Sequence, residues 1–384
     1  MRRLLLLAAM ALAAAAQDDV TQLRTQAAAL VAQGKYAEAE PLLVRALAAR
    51  EQELGADDPG IATAVEDLAA LYRAEGRSSD AEKLYLRSLA IKEKSEGKQS
   101  VELIPELKRL AALYDTMGRT TDAEKQHLRI VSIRLTANGA DDPDLARDHA
   151  DLAAFYISKK RFAVAEPNLR RAIDITQKRL GPEDLSLVPL LESLATVFIE
   201  QKNYEMAEPP LRRAVSIEER VEGPRSVNTA PHLDRLAQLY FMQKRYAEAE
   251  PLYRRSLAIW EASLGVDNPE LATTLDNLAV VLASQQKFAE AEPLYRRSLT
   301  LRQTTIVASL NNLAMVLEGR GQDVAAERNY RQAIAVAEKL PDPSLLAFTL
   351  HNYSALLRKL KREPEARRVE TRAATIEKNA AAKR

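Results

Sequence analysis

Tyr246-Ala247-Glu248-Ala249-Glu250-Pro251-Leu252-Tyr253 is one copy of a phrase that the chain repeats from end to end. Its Ala-Glu pair begins at Ala39, Ala81, Ala123, Ala165, Ala207, Ala249 and Ala291, in steps of 42, and looser copies follow at Ala326 and Ala366 after steps of 35 and 40. Leu68, Leu110, Leu152, Leu194, Leu236 and Leu278, each followed by Ala, keep the same phase, and so do glycines at 55, 97, 139, 181, 223 and 265. Leu313-Ala314 and Tyr353-Ser354 continue the second mark. Three marks in one register define nine repeats. A period of this length points to stacked supersecondary units, not to the two or three globular domains that 384 residues would otherwise suggest.

Each repeat reads as two helices. Leu271, Leu275, Leu278 and Leu282 lie at spacings of four, three and four, one face of a first helix. A polar turn, Ser284-Gln285-Gln286-Lys287, leads to a second helix expected from about Ala289 to Thr300, with Ala291, Leu294, Tyr295, Ser298 and Leu299 as its inner stripe. Ala279 and Ala291 lack bulk, so the two backbones can approach closely while larger side chains interlock around them. Between repeats, Gly55-Ala56-Asp57-Asp58-Pro59, Gly139-Ala140-Asp141-Asp142-Pro143 and Gly265-Val266-Asp267-Asn268-Pro269 share one logic. The glycine is expected to end a helix in a left-handed cap, and Asp or Asn caps the next helix with Pro at its start. Pro41, Pro167, Pro209, Pro251 and Pro293 are expected in the first turn of second helices, where a missing N–H loses no partner. The short step from Ala291 to Ala326 is explained by Gln303 to Val307, which lacks the Gly-Asp-Asn-Pro loop. In the last helix Ala366, Val369, Ala373 and Ile376 form a thin apolar stripe under a charged cover, with 379–384 expected to fray.

The N-terminus is a separate object. Arg2-Arg3 precede an apolar run, Leu4 to Ala16, that ends in Ala14-Ala15-Ala16 before Gln17-Asp18-Asp19. This is the pattern of a secretory signal peptide cleaved after Ala16, which predicts export to a periplasm or the exterior, with no transmembrane segment in the mature chain. Lys and Arg number 55 and Asp and Glu 54; loss of Arg2 and Arg3 leaves 53 against 54. A near-neutral chain argues against nucleic acid as ligand. Cysteine is absent, which excludes disulfides and thiolate metal sites.

Leu275-Asp276-Asn277-Leu278-Ala279, the 246–253 phrase and Leu264-Gly265-Val266-Asp267-Asn268-Pro269 resemble the 42-residue tetratricopeptide repeats of kinesin light chains and their bacterial relatives. The resemblance covers roughly residues 18 to 378. It implies an all-α fold, a right-handed α-solenoid of about nine helix-turn-helix repeats over 17–378, whose concave groove, lined by first helices, binds proteins or extended peptides. The function it implies is a non-enzymatic interaction scaffold or adaptor, which the signal peptide would place in the bacterial cell envelope. A self-associating structural solenoid and a small-ligand binder are the alternatives, and the oligomeric state stays open.

Just before the marker Leu of each first helix stand Asp67, Arg109, Asp151, Ser193, Arg235, Asn277, Asn312 and Asn352. The last three form a ladder of asparagines, each offering a donor and an acceptor to the backbone of a bound peptide, as the resembled family uses them. One turn later Ile157, Ile199, Phe241 and Met242 would add apolar contacts. The alternatives are a solvated helix face for the asparagines and burial against the next repeat for the apolar set. The basic segment from Arg358 to Arg384 reads as a solvated capping helix, with an anionic lipid or acidic partner as the other possibility. No motif of catalysis is present. Gly319-Arg320-Gly321 is an inter-helix turn, no Gly-x-Ser-x-Gly or His-Glu-x-x-His occurs, and His127, His149, His232 and His351 fall in different repeats. The sequence therefore predicts no enzyme, no cofactor and no metal.

Overall fold

A computed structural model of the chain describes residues 19–381, so the expected signal peptide lies outside the described residues. The described residues form seventeen α-helices and no strand. Helix α1 covers 19–32. Then come α2 (Tyr36–Leu54), α3 (Ala62–Ala74), α4 (Ser78–Glu96), α5 (Ile104–Thr116), α6 (Thr120–Asn138), α7 (Pro143–Ser158), α8 (Phe162–Leu180) and α9 (Leu187–Glu200). They continue with α10 (Tyr204–Val221), α11 (Thr229–Met242), α12 (Tyr246–Leu264), α13 (Leu271–Ser284), α14 (Phe288–Gly319), α15 (Asp323–Ala337), α16 (Ser344–Lys359) and α17 (Glu363–Ala381). The chain divides into two compact units, Met1–Gln201 and Lys202–Arg384. Within each, a helix packs on its neighbours in sequence, so a core runs continuously through the stacked pairs.

The marker residues are that core. Ala39, Ala81, Ala123, Ala165, Ala207 and Ala249 have no exposed surface, and the marker leucines from Leu68 to Leu278 are buried. Where the second helix carries Ser256, its hydroxyl donates to the Ala230 carbonyl of the paired first helix (3.2 Å), which satisfies a buried polar group without spreading the helices.

The loops between repeats correct one expectation. Their glycines do not sit in the left-handed helical region: Gly55 (φ 96°, ψ 154°), Gly139 (φ 88°, ψ 178°) and Gly181 (φ 99°, ψ 164°) adopt an extended mirror-image conformation that essentially only glycine tolerates. The left-handed φ occurs instead in the turn inside each repeat, where Gly118 (71°) is followed in phase by Lys160 (56°), Lys202 (58°) and Lys244 (60°). Side-chain caps appear as expected: Asp58 accepts from Gly60 N, Asp142 from Asp144 N and Asn268 from Glu270 N, at 2.7, 2.7 and 2.8 Å. Arginines of the following second helix hold the loops, Arg87 on Ala56 O and Arg171 on Ala140 O, both at 2.8 Å.

The prolines correct another. Pro41, Pro167, Pro209, Pro251 and Pro293 lie in the second turn, because their helices already begin at Tyr36, Phe162, Tyr204, Tyr246 and Phe288. Each proline removes the N–H that would reach the carbonyl four residues back. Those carbonyls belong to Ala37, Ala163, Glu205, Ala247 and Ala289, all exposed residues that water can reach.

The largest departure is α14. The second helix expected to end near Thr300 runs unbroken for 32 residues and includes the first helix of the eighth repeat. Gln303-Thr304-Thr305-Ile306-Val307 contains neither glycine nor proline, so nothing ends the helix there. Consequently Ala291 and Ser298 are buried as expected, but Tyr295 and Leu299 of the predicted inner stripe are exposed.

Candidate interaction surface

The candidate residues stand on first helices of both units, and within each unit the structure shows how many of them the chain itself uses. In unit one the row before the marker leucines is tied across repeats. Arg24 on α1 pairs with Asp67 on α3 (2.5 Å), and Lys108 on α5 pairs with Asp151 on α7 (2.8 Å). Arg109 reaches back to Glu66 (3.1 Å) and to Glu106 (2.9 Å).

Beneath this row lie buried carboxylates. Glu106 has no exposed surface, and Lys92 of the preceding second helix meets it at 2.7 Å. Burial, and then a hydrogen bond with Glu66, push the Glu106 carboxyl up, while Lys92 pulls it back. Burial also acts on Glu66, but the bond from Glu106 and the charges of Arg109 and Lys92 outweigh it and hold Glu66 low. The two carboxyls are thus driven in opposite directions, Glu106 up and Glu66 down. One repeat later Asp148 takes the same place, with Arg134 at 2.9 Å and Lys108 at 3.2 Å. In unit two the arrangement inverts: the anion Glu218 is on the second helix and His232 on the first, 3.4 Å apart. Two repeats of the pattern and one reversal at a spacing of 14 are a signal that the sequence held and that marker-based reading passed over.

In unit two Asp234 is largely buried, and burial pushes its carboxyl up against the opposing hydrogen bonds of Ser256, Thr274 and Trp260. The lone tryptophan, half-buried on α12, is thus bonded to a carboxyl of the chain itself. In unit one burial pulls the His127 imidazole below its ordinary value, its ring against Phe155 at 5.0 Å.

The predicted binding residues divide. Ile157 and Ile199 are half-buried on α7 and α9 in unit one. In unit two Arg235 is half-buried on α11, Met242 is exposed, and Phe241 is half-buried with its ring 5.6 Å from Tyr246 at the start of α12. Asn277 is half-buried on α13 and Asn312 exposed on α14. Asn352 does not align with Asn312: its amide donates to Asn311 Oδ1 (3.0 Å), and Asn311 is buried. The last rung of the ladder is thus an internal bond between repeats, because the fused helix shifts which face of 311–315 meets α16. The basic C-terminal segment is knit into the chain, with Lys359 on Asp323 (2.7 Å), Arg362 on Glu327 (2.8 Å) and Arg372 on Glu338 (2.6 Å). Among the described residues no group of His, Asp and Glu is placed to hold a metal ion, and no helix is long and apolar enough to cross a membrane.

Family models of the tetratricopeptide repeat match residues 19–94, 108–144, 148–220, 185–257, 227–304 and 305–379. No curated protein sequence matches. The C-terminal part of a TPR repeat-containing protein from Cytophaga hutchinsonii is similar in structure at 14% identity, with a TM-score of 0.51 over 72% of this chain and 95% of that one. BtubC from P. vanneervenii is 22% identical, with a TM-score of 0.49 over 59% of this chain and 90% of that one. A putative kinesin light chain repeat protein from Podospora anserina is 21% identical, with a TM-score of 0.45 over 53% and 96%.

Proposed function

Because this chain belongs to the tetratricopeptide repeat family, generally a family of protein-interaction scaffolds, we propose that it is a non-enzymatic adaptor that binds an extended segment of a partner protein along its first-helix face. The observation that carries the reading is the state of that face on α13 and α14. Asn312 is exposed and Asn277 half-buried there, whereas Asp67 and Asp151, the equivalent residues of unit one, are committed to ion pairs. An asparagine can bond both an N–H and a C=O of a peptide in extended conformation, so binding of this kind reads chain shape more than sequence. Arg2-Arg3, the apolar run and the Ala14-Ala15-Ala16 boundary support export, with the adaptor acting in the cell envelope or outside.

The test is crosslinking and mass spectrometry with envelope extracts, followed by binding of the captured segment to purified variants. Asn277→Ala with Asn312→Ala should weaken that binding by about tenfold, two modest hydrogen-bond losses, with unchanged helical content. Unaltered affinity would remove the asparagines from the site. The mature N-terminus should begin at Gln17, and an exported protein that retains Arg2 and Arg3 would contradict the leader assignment.

A further inference from the structure

The octapeptide Glu-Pro-Leu-Tyr-Arg-Arg-Ser-Leu occurs twice, at 250–257 and 292–299. In the first copy Tyr253 and Leu257 are 3% and 8% exposed; in the second, Tyr295 and Leu299 are 40% and 57% exposed. In the first repeat the equivalent side chains, Leu43 and Leu47, cluster with Ile61, Val65 and Leu68 of the next first helix; where that helix has become the continuation of α14, Tyr295 and Leu299 are left bare. The reverse face is bare too. Leu271 and Leu278 on α13 are 0% and 1% exposed, whereas their counterparts Ile306 and Leu313 are 49% and 48% exposed. Ile306 and Leu313 line, with Leu310, an apolar cleft of about 700 Å³. Two faces that fit each other in the neighbouring repeats thus lie on the two halves of one straight helix, where they cannot meet within one chain.

We propose that a second copy of this chain covers them, the two α14 helices packing antiparallel so that the first half of each meets the second half of the other. The register follows from the covered junction. There the Gln285 side chain donates to Tyr246 O and to Glu250, and Lys287 pairs with Glu250 at 2.7 Å. Moved along by 42 residues on the second helix and by 35 on the first, Tyr246 facing Gln285 becomes Phe288 facing Arg320 of the second copy. The twofold axis then passes at Thr304, the middle of a helix that begins at Phe288 and ends at Gly319. A self-complementary surface is what a twofold dimer requires. Charge agrees as well: Glu292, exposed and paired in its own chain with Arg296, comes to face the Gly319-Arg320-Gly321 turn of the other copy.

Sedimentation equilibrium of the purified chain over about 1 to 100 µM should give twice the mass of the single chain. Leu299→Glu, at a site exposed in the single chain, should raise the dissociation constant by about a hundredfold without loss of helix content. Glu292→Arg and Arg320→Glu should each weaken the dimer, and the two together should restore it. Insertion of the sequence of Ser263 to Pro269 after Gln303 should return the missing turn and give a monomer. A monomer throughout the range, or a dimer indifferent to Leu299→Glu and to the charge exchange, overturns the proposal. Asn277→Ala, on α13 and outside the proposed dimer face, leaves this readout unchanged, so the two readings fail separately.

Discussion

The hydroxyl of Tyr240 donates to Oε1 of Glu208 at 2.9 Å, joining the end of one repeat's first helix to the start of the preceding second helix. Arg245 completes the clamp, bonded to Oε2 of the same carboxylate and seated 4.3 Å from the tyrosine ring centroid. Tyr72, Arg77 and Glu40 repeat it, as do Tyr156, Arg161 and Glu124, and Tyr353, Arg362 and Glu327. Glu208 is the second residue of the Ala-Glu mark, so that mark encodes both the close approach inside a repeat and the bond between repeats.

Tyr240→Phe keeps the ring and the cation above it but removes the hydroxyl. The expected loss is about 1 kcal/mol, one partly buried hydrogen bond to a charged group. Urea unfolding of the double-mutant cycle with Glu208→Gln should show a coupling of about 0.5–1.5 kcal/mol, and additive losses would dissolve the clamp.

The clamp also sets a pH dependence. Burial pushes Glu208 up, but the bonds from Arg245 and Tyr240 outweigh it and hold the carboxyl below its ordinary 4.5. Glu40, Glu124, Glu250 and Glu327 are held low in the same way. The folded chain binds these protons less readily than the unfolded one. Their contribution is therefore complete above pH 4.5 and fades as pH falls through the lower folded values. The stability gap between wild type and Glu208→Gln, measured by urea midpoint, should be present at pH 7 and narrow steadily below 4.5.

Asp234 has the opposite sign. Burial raises its carboxyl above the ordinary 3.8, so the folded chain binds that proton more readily and loses stability as pH rises from 3.8 through the folded value. Asp234→Asn carries no such loss. Relative to wild type the variant should be more stable at pH 7 than at pH 4, and an equal difference at both pH values would contradict the buried, raised carboxyl.

Two glycines separate the two kinds of turn. Gly181→Ala at φ 99° and ψ 164° should cost about 1–3 kcal/mol, because no other residue is at ease there. Gly118→Lys at φ 71° should cost less than about 1 kcal/mol, since Lys160 occupies the equivalent position one repeat later. Calorimetric melting of the two variants side by side decides it.

The repeat was legible because Ala81, Leu110 and their equivalents answer to one requirement each, close packing, and recur at a fixed step. The glycine conformation was not legible. A bare glycine announces positive φ but says nothing of ψ, and the lysines at 160, 202 and 244 were the clue that the left-handed turn lay elsewhere. The prolines misled for a related reason: a proline marks the first turn only if its lost carbonyl partner must be replaced by protein, and here water is at hand. The fused helix left its trace as a shortfall of seven residues. Every core mark on either side was intact, so only the want of a breaker between Gln303 and Val307 distinguished a shorter loop from none. Of the candidate site, the sequence marked which residues precede each marker leucine on a first helix. The pairing across repeats was hidden because Lys92 and Glu106, or Arg134 and Asp148, become neighbours only once the helices stack.

Helix α14 is a strut of about 48 Å, at 1.5 Å per residue. Every other repeat boundary within its unit is a joint with a loop. At Thr304 there is no such joint. Force applied to the last two repeats is carried as bending of one rod directly into the seventh, so yielding there requires breaking main-chain hydrogen bonds. That stiffness gives the C-terminal repeats a fixed aim.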